Sequence, residues 1–275
     1  MMTLDEAVRF LRASPTHSAL VRDAYLGRDV VASAERFAAS AEFAAIRALL
    51  PSLDDAVVVD VGAGCGIASY AFAAAGAGRV YAVEPDPSDE VGSGAIRRLP
   101  PGLPITRVAA FGESLPLRDG VADIVFARQV LHHTRDLPLV LRESARLLRR
   151  GGIFLACREH VVRDDRELAT FLAGHPVHQL AGGENAYRLD EYIAAIRSAG
   201  LQLDRVLGPW DSVMNAFPAV RSTSELERLP RQLLRRRFGP LGGLAHALPG
   251  VPALVRRRLG RSVPGRMYSF SARRL

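Results

Sequence analysis

The chain has no lysine: all 36 basic residues are arginine. Its only strong cation is therefore a guanidinium, which suits two-point contact with carboxylate or phosphate. Cysteine is nearly absent too. Cys65 and Cys157 alone cannot make a disulfide framework, and a reducing, cytoplasmic setting is expected. Neither thiol has the surroundings of a cysteine nucleophile. No apolar run approaches the ~18 residues of a membrane span, and the opening MMTLDEAVRFLRAS has no apolar core of a secretion-signal kind. No H-E-x-x-H occurs, no internal repeat and no low-complexity tract. Aromatic residues make up 7%, and the most basic stretch holds only Phe238, which argues against a base-stacking nucleic-acid surface.

What is present is a 275-residue chain that is 48% hydrophobic, suited to one α/β domain with additions. Its charge is uneven. Arg221 to Arg266 holds eleven arginines and two acids, Glu225 and Glu227, a local +9 against +7 overall, so the rest is close to neutral. The organising stretch runs from Val57 to Glu84. An apolar run ends on Asp60; Gly62, Gly64 and Gly66 follow at alternate positions; Ile67 to Ala75 reads as a small-residue helix; Arg79 to Val83 is a second apolar strand ending on Glu84. This predicts strand, tight turn, helix and strand, bringing glycine backbone and a helix N-terminus close to a ligand. A dinucleotide fingerprint needs glycine where Ile67 stands, so G-x-G-x-x-G fails.

The acid followed by G-x-G-x-G resembles the first motif of the class I S-adenosylmethionine-dependent methyltransferases, in their small-molecule branch similar to the ubiquinone-biosynthesis type. A second block extends the resemblance: Glu113-Ser114-Leu115-Pro116, a strand from Asp123 to Ala127, Leu131-His132-His133, an amphipathic helix from Asp136 to Leu148 and Arg146-Leu147-Leu148-Arg149-Arg150-Gly151-Gly152. The resemblance implies S-adenosylmethionine as cofactor, with Asp60, Gly62, Ala63, Gly64, Gly66, Glu84, Pro85, Phe111, Gly112, Glu113 and Arg128 around it. Glu84 would accept from both ribose hydroxyls. Many members have an acid after the third strand to hold the adenine amino group. Phe111 stands there instead, which implies backbone groups near Phe111 and Gly112, with the ring against the base.

The implied fold is α/β: a doubly wound, mostly parallel seven-strand Rossmann-like sheet. The expected divisions are an N-terminal helical cover (1–50), a cofactor-binding core (51–207) with a lid or substrate loop (158–188), an arginine-rich helical insertion (208–265) and a last core strand (266–275). In the cover, Phe37, Ala41, Ala44, Ala45 and Ala48 share the face of one helix; Gly151 reads as a helix stop. Prolines at 209, 218, 230, 240, 249, 252 and 264 break the insertion into short helical pieces.

The chemistry expected is methyl transfer to O or N of a small-molecule or glycoconjugate acceptor, which needs mainly positioning of the nucleophile. His133 and His160, each after a central strand, are the candidate catalytic groups. Arg158, Glu159, His175, Glu184, Asn185 and Tyr187 are the candidate acceptor contacts, with Gly182-Gly183 as a lid hinge; the plainer reading of this stretch is a solvated loop. No metal site is expected, because Pro176 and the missing H-E-x-x-H spacing argue against His175, His178 and Glu184 as ligands. The arginine insertion suits an anionic acceptor or, through Leu233, Leu234, Phe238, Leu254, Val255 and Leu259, peripheral membrane contact; its plainer reading is a solvated face. The alternatives are an RNA methyltransferase that grips RNA with this insertion, or a cofactor-binding scaffold without catalysis.

Overall fold

The structure, a computed structural model, describes residues 1–260 and 265–275. The break expected at Pro264 lies outside them. Among the described residues eight strands are formed: β1 (Val57–Val61), β2 (Arg79–Val83), β3 (Ile105–Val108), β4 (Ala122–Arg128), β5 (Leu148–Val162), β6 (Tyr187–Arg188), β7 (Leu201–Leu207) and β8 (Arg266–Arg274). They lie in the order β3-β2-β1-β4-β5-β8-β7, with β6 paired to β5. β8 runs antiparallel to β5 and β7, and the other pairings are parallel. The sheet is the expected mostly parallel one, widened to eight strands by β6, a two-residue strand on the return of the 158–188 connection.

Strand periodicity of two divides the core into two layers. Val58, Ile124 and Phe126 point into one; Val59, Val61, Val125 and Ala127 point into the other. Helices cover both faces. The N-terminal helices are α1 (Leu4–Ala13), α2 (Ser18–Asp23), α3 (Val30–Ala38) and α4 (Ala41–Arg47), and α5 (Ile67–Ala74) follows the glycine turn. Tyr25, Phe37, Phe43, Phe72 and Phe126 form a chain of ring contacts through the first layer. After the short α6 (Ser93–Ile96), α7 (Leu137–Leu147) presents Val140 and Leu141 to the second layer. The 158–188 connection carries α8 (Asp165–Gly174) and α9 (Pro176–Ala181); α10 (Leu189–Ser198) precedes β7 and also packs on the second layer. Between β7 and β8 come α11 (Val213–Ala216), α12 (Thr223–Phe238), α13 (Pro240–His246) and α14 (Val251–Leu259).

Four local expectations are corrected. The helix expected across Phe37–Ala48 is two, because Ser40 accepts from the Phe43 N–H (3.0 Å) and donates to the Phe37 carbonyl (2.6 Å), starting α4 afresh. Gly151 does not cap α7: the chain passes from Leu147 straight into β5, and Gly151, at φ 78°, bends that strand. β5 is 15 residues long and takes in residues 158–162, expected as the start of the lid or substrate loop, because β8 pairs with it as far as Val161. Pro230 does not break the insertion. It lies inside α12, whose leucine-, arginine- and glutamate-rich flanks favour helix, while Pro240 and Pro252 begin helices, where a missing N–H costs nothing.

Candidate active site

A cleft of about 500 Å³ lies over the C-terminal ends of β1 to β4, the edge at which open α/β sheets bind ligands. Its floor is the glycine turn. Gly62, Gly64 and Gly66 have φ of 66°, 53° and 81°, a region open to glycine and strained for other residues. A Cβ on Gly62 would come within 2.4 Å of a Val130 methyl group. Ala63 is buried within the turn and donates to the Val83 carbonyl (2.9 Å).

Glu84 ends β2 beside this turn. One carboxylate oxygen accepts from the Gly64 N–H (2.8 Å) and the other from the Asp86 N–H (3.0 Å). An ionised oxygen has about two acceptor directions, so each keeps one beyond these donors, and Glu84 lines the cleft. Burial pushes the Glu84 carboxyl up, and the two N–H donors pull it down. Pro85, Phe111, Gly112 and Glu113 complete this side. Phe111 is 58% exposed, and the Arg135 guanidinium lies 5.6 Å from its ring centre. Glu113 accepts from the Arg135 N–H (3.0 Å).

At the other end stands His133, half-exposed, with Nδ1 3.2 Å from the Gly183 carbonyl oxygen. Its Nε2 is 3.6 Å from a Glu184 oxygen, and the Nε2 of buried His132 is 3.7 Å from the same oxygen. His175 Nδ1 lies 3.7 Å from the other Glu184 oxygen. Burial lowers the pKa of His133 and of His175. Tyr187 donates to the Thr134 carbonyl (2.9 Å), and half-buried Asn185 shares its loop. Gly182 and Gly183 both have positive φ, 74° and 82°.

Several expected site residues lie elsewhere. Asp60 is beneath the turn, 1% exposed, accepting from the Ser69 hydroxyl (2.6 Å); it anchors α5 and does not line the cleft. Arg128 is turned away into the α4 side, where its Nε donates to Glu42 (2.7 Å). Arg158 points the same way, donating to the carbonyls of Met214 (2.6 Å) and Phe217 (2.9 Å). Glu159 is fully buried and accepts from the N–H groups of Val130 and His132 and from His132 Nδ1 (2.7 Å). His160 is 5% exposed, its Nδ1 2.7 Å from the Gly265 carbonyl oxygen and its ring against Phe171; burial drives its pKa well below the usual value. His160 was expected just after a central strand, and Arg158 and Glu159 at the start of the 158–188 loop; the overrun of β5 makes all three interior. Sequence reasoning gave no role to His132 or to Glu42, which sits 86 positions from its partner Arg128. The His132–His133 doublet was the one visible signal.

The chain matches a family profile described as a methyltransferase domain over residues 59–156. It is 31% identical over 173 residues to a ubiquinone biosynthesis O-methyltransferase of Xylella fastidiosa, covering 58% of this chain and 68% of that protein. A protein of the same description from Rhizobium etli is 28% identical over 151 residues, 53% of this chain and 60% of its own length. The chain thus spans about three-fifths of that relative. In fold it is similar to an S-adenosylmethionine-dependent methyltransferase from Mesorhizobium loti, with a TM-score of 0.57, 21% identity and coverage of 86% and 99% of the two chains. The motifs, the strand order and this coverage make the chain a member of the class I S-adenosylmethionine-dependent methyltransferase family.

Proposed function

We propose that the chain transfers a methyl group from S-adenosylmethionine to an oxygen or nitrogen of a small-molecule or glycoconjugate acceptor. The observation that carries this is one cleft with two differently equipped ends: the glycine turn and Glu84 at one, and His133, with Glu184 3.6 Å from its Nε2, at the other. The residues fit the cofactor. Glu84 keeps one acceptor direction on each oxygen for a pair of hydroxyls. A Cβ on Gly64 would meet its nearest heavy atom only at 3.4 Å, so that glycine's bareness serves the cleft more than packing. Phe111 offers an exposed ring to a base. When bound, the cofactor supplies a methyl group already activated by its sulfonium. The chain's part is to hold the two partners within about 3–3.5 Å and in line. Glu84 and the turn hold the nucleoside and amino-acid portions. The acceptor enters from the His133 side, under the loop carrying Glu184, Asn185 and Tyr187.

The ubiquinone O-methyltransferase relatives support a small acceptor. The exposed arginines and leucines of α12 to α14 support one that is anionic or reached at a membrane surface. Calorimetry with S-adenosylhomocysteine, beside NAD, tests the cofactor. Losing two hydrogen bonds to a charged group, each about 1.5–3 kcal/mol, Glu84→Ala weakens S-adenosylhomocysteine by about 100-fold or more. Unchanged affinity in that variant, or binding of NAD alone, overturns the reading. Labelling of a metabolite extract with a radioactive methyl donor then identifies the acceptor.

A further inference from the structure

We propose that His132, His133 and Glu184 form a binding site for a divalent transition-metal ion at the acceptor end of the cleft. One ligand atom from each lies within 4.8 Å of the others. The two contacts to the Glu184 oxygen, 3.6 and 3.7 Å, are too long for hydrogen bonds. They are close to the spacing of ligands around a shared ion: two atoms each about 2.1 Å from a metal, at tetrahedral angles, lie about 3.4 Å apart.

The surrounding groups make the case stronger. His132 Nδ1 lies 2.7 Å from Glu159, a fully buried carboxylate that also accepts the backbone N–H groups of Val130 and His132. His133 Nδ1 faces the Gly183 carbonyl oxygen at 3.2 Å. The Gly183 carbonyl oxygen and the Glu159 carboxylate oxygen are acceptors, so each Nδ1 is placed to donate, and in the neutral imidazoles that metal binding requires both Nε2 atoms present a lone pair. Two lone pairs then converge on a third acceptor, the Glu184 carboxylate, which is 9% exposed. Three acceptors facing one another, two of them well buried, repel unless a cation lies between them. A carboxylate and a backbone carbonyl fixing the far nitrogens of two imidazoles is the outer-shell arrangement that orients histidine ligands to a metal.

The donor set selects the ion. Two imidazole nitrogens and one carboxylate oxygen favour zinc, manganese, iron or cobalt over the all-oxygen preference of calcium and magnesium. Three protein ligands leave coordination positions open. His133 lines the cleft, so those positions face the acceptor and suit a substrate hydroxyl. That last step rests on the methyltransferase reading, whereas binding of the ion does not.

The test uses the full chain stripped with a chelator and titrated with Zn²⁺ and with Co²⁺, the latter followed by its visible d–d absorption. One equivalent of each is expected, with tetrahedral or five-coordinate Co²⁺ bands. His133→Ala and Glu184→Gln each weaken binding by at least 10-fold. Glu159→Gln, which alters the acceptor of His132 Nδ1 and of the Val130 and His132 N–H groups, weakens it by about 10–100-fold. Far-UV circular dichroism is measured on every variant and stays at the natural level in His133→Ala and Glu184→Gln, and S-adenosylhomocysteine affinity is measured on the natural chain. Absence of stoichiometric binding in the natural chain, or binding unaltered in both variants, overturns the site. Retained S-adenosylhomocysteine binding alongside that result would leave the methyltransferase reading standing; its loss in the natural chain would remove that reading separately.

Discussion

Asp60 has a carboxyl that burial, the largest influence on it, pushes up to about 7 from an ordinary value of 3.8, despite the hydrogen bond from Ser69. The folded chain therefore holds this proton over a pH range in which the unfolded chain has released it. The sign follows from linkage: where the native state binds more protons, stability falls as pH rises. The loss runs from about pH 4 to about pH 7 and amounts to about 4 kcal/mol. Asp60→Asn keeps an acceptor for Ser69 and has no charge to bury. In the ligand-free protein its stability relative to the natural chain should rise as pH goes from 4.5 to 8, measured as urea midpoints at each pH; a difference independent of pH sinks the argument. Glu42 is a buried carboxylate with charged partners. Its buried carboxylate lies between two largely buried guanidiniums, 2.7 Å from Arg128 Nε and 3.7 Å from Arg158 Nε. Removing the shared anion leaves both cations uncompensated, so Glu42→Gln should cost about 3–5 kcal/mol in chemical denaturation. A cost under 1 kcal/mol would mean that these arginines find other partners.

Elements, taken as units, show which parts of the architecture could be read ahead of the structure. Ser40 separates α3 from α4 by bonding both, and Ser40→Ala should lower stability by about 1 kcal/mol, read as a drop in thermal midpoint with unchanged circular dichroism. If the two helices fuse on substitution, the midpoint holds instead. The strand–turn–helix around Gly62, Gly64 and Gly66 was legible because its chemistry is tied to backbone conformation: positive φ at alternate residues admits little but glycine. The two-layer sheet was legible from apolar runs, since strands buried on both faces lose their alternation. What could not be read was set by partners distant in sequence. β5 extends to Val162 because β8, more than 100 residues later, pairs with it, and this turns Arg158 and His160 from rim groups into interior ones. Arg128 faces α4 and not the cleft because a carboxylate from the N-terminal helices waits there. A single chain read in order carries no trace of either pairing. The role of His132 was equally hidden, for it depends on Glu159 lying behind it.

At the scale of the whole molecule, the segment between β7 and β8 differs from the rest in charge and in surface. No helix among the described residues is long and apolar enough to cross a membrane. Yet Phe238, Leu241, Leu244, Leu248 and Leu254 are each more than half exposed, beside the arginine triplets 235–237 and 256–258 of α12 and α14. Apolar side chains rimmed by guanidiniums match a bilayer interface with anionic headgroups, where each basic residue adds about 1 kcal/mol. The chain should therefore sediment with anionic vesicles and not with zwitterionic ones. That binding should weaken by 10-fold or more between low and high salt, since surface charge is screened within about 10 Å at 0.1 M. Substituting Phe238→Glu and Leu241→Glu together should reduce vesicle binding at least 10-fold while thermal midpoint and S-adenosylhomocysteine affinity hold, because neither residue touches the cleft or the sheet core. Equal binding to both vesicle types would assign these arginines to solvent. Binding that survives the double substitution but vanishes with salt would assign the attraction to charge alone, and the exposed leucines would then need a protein partner to account for them.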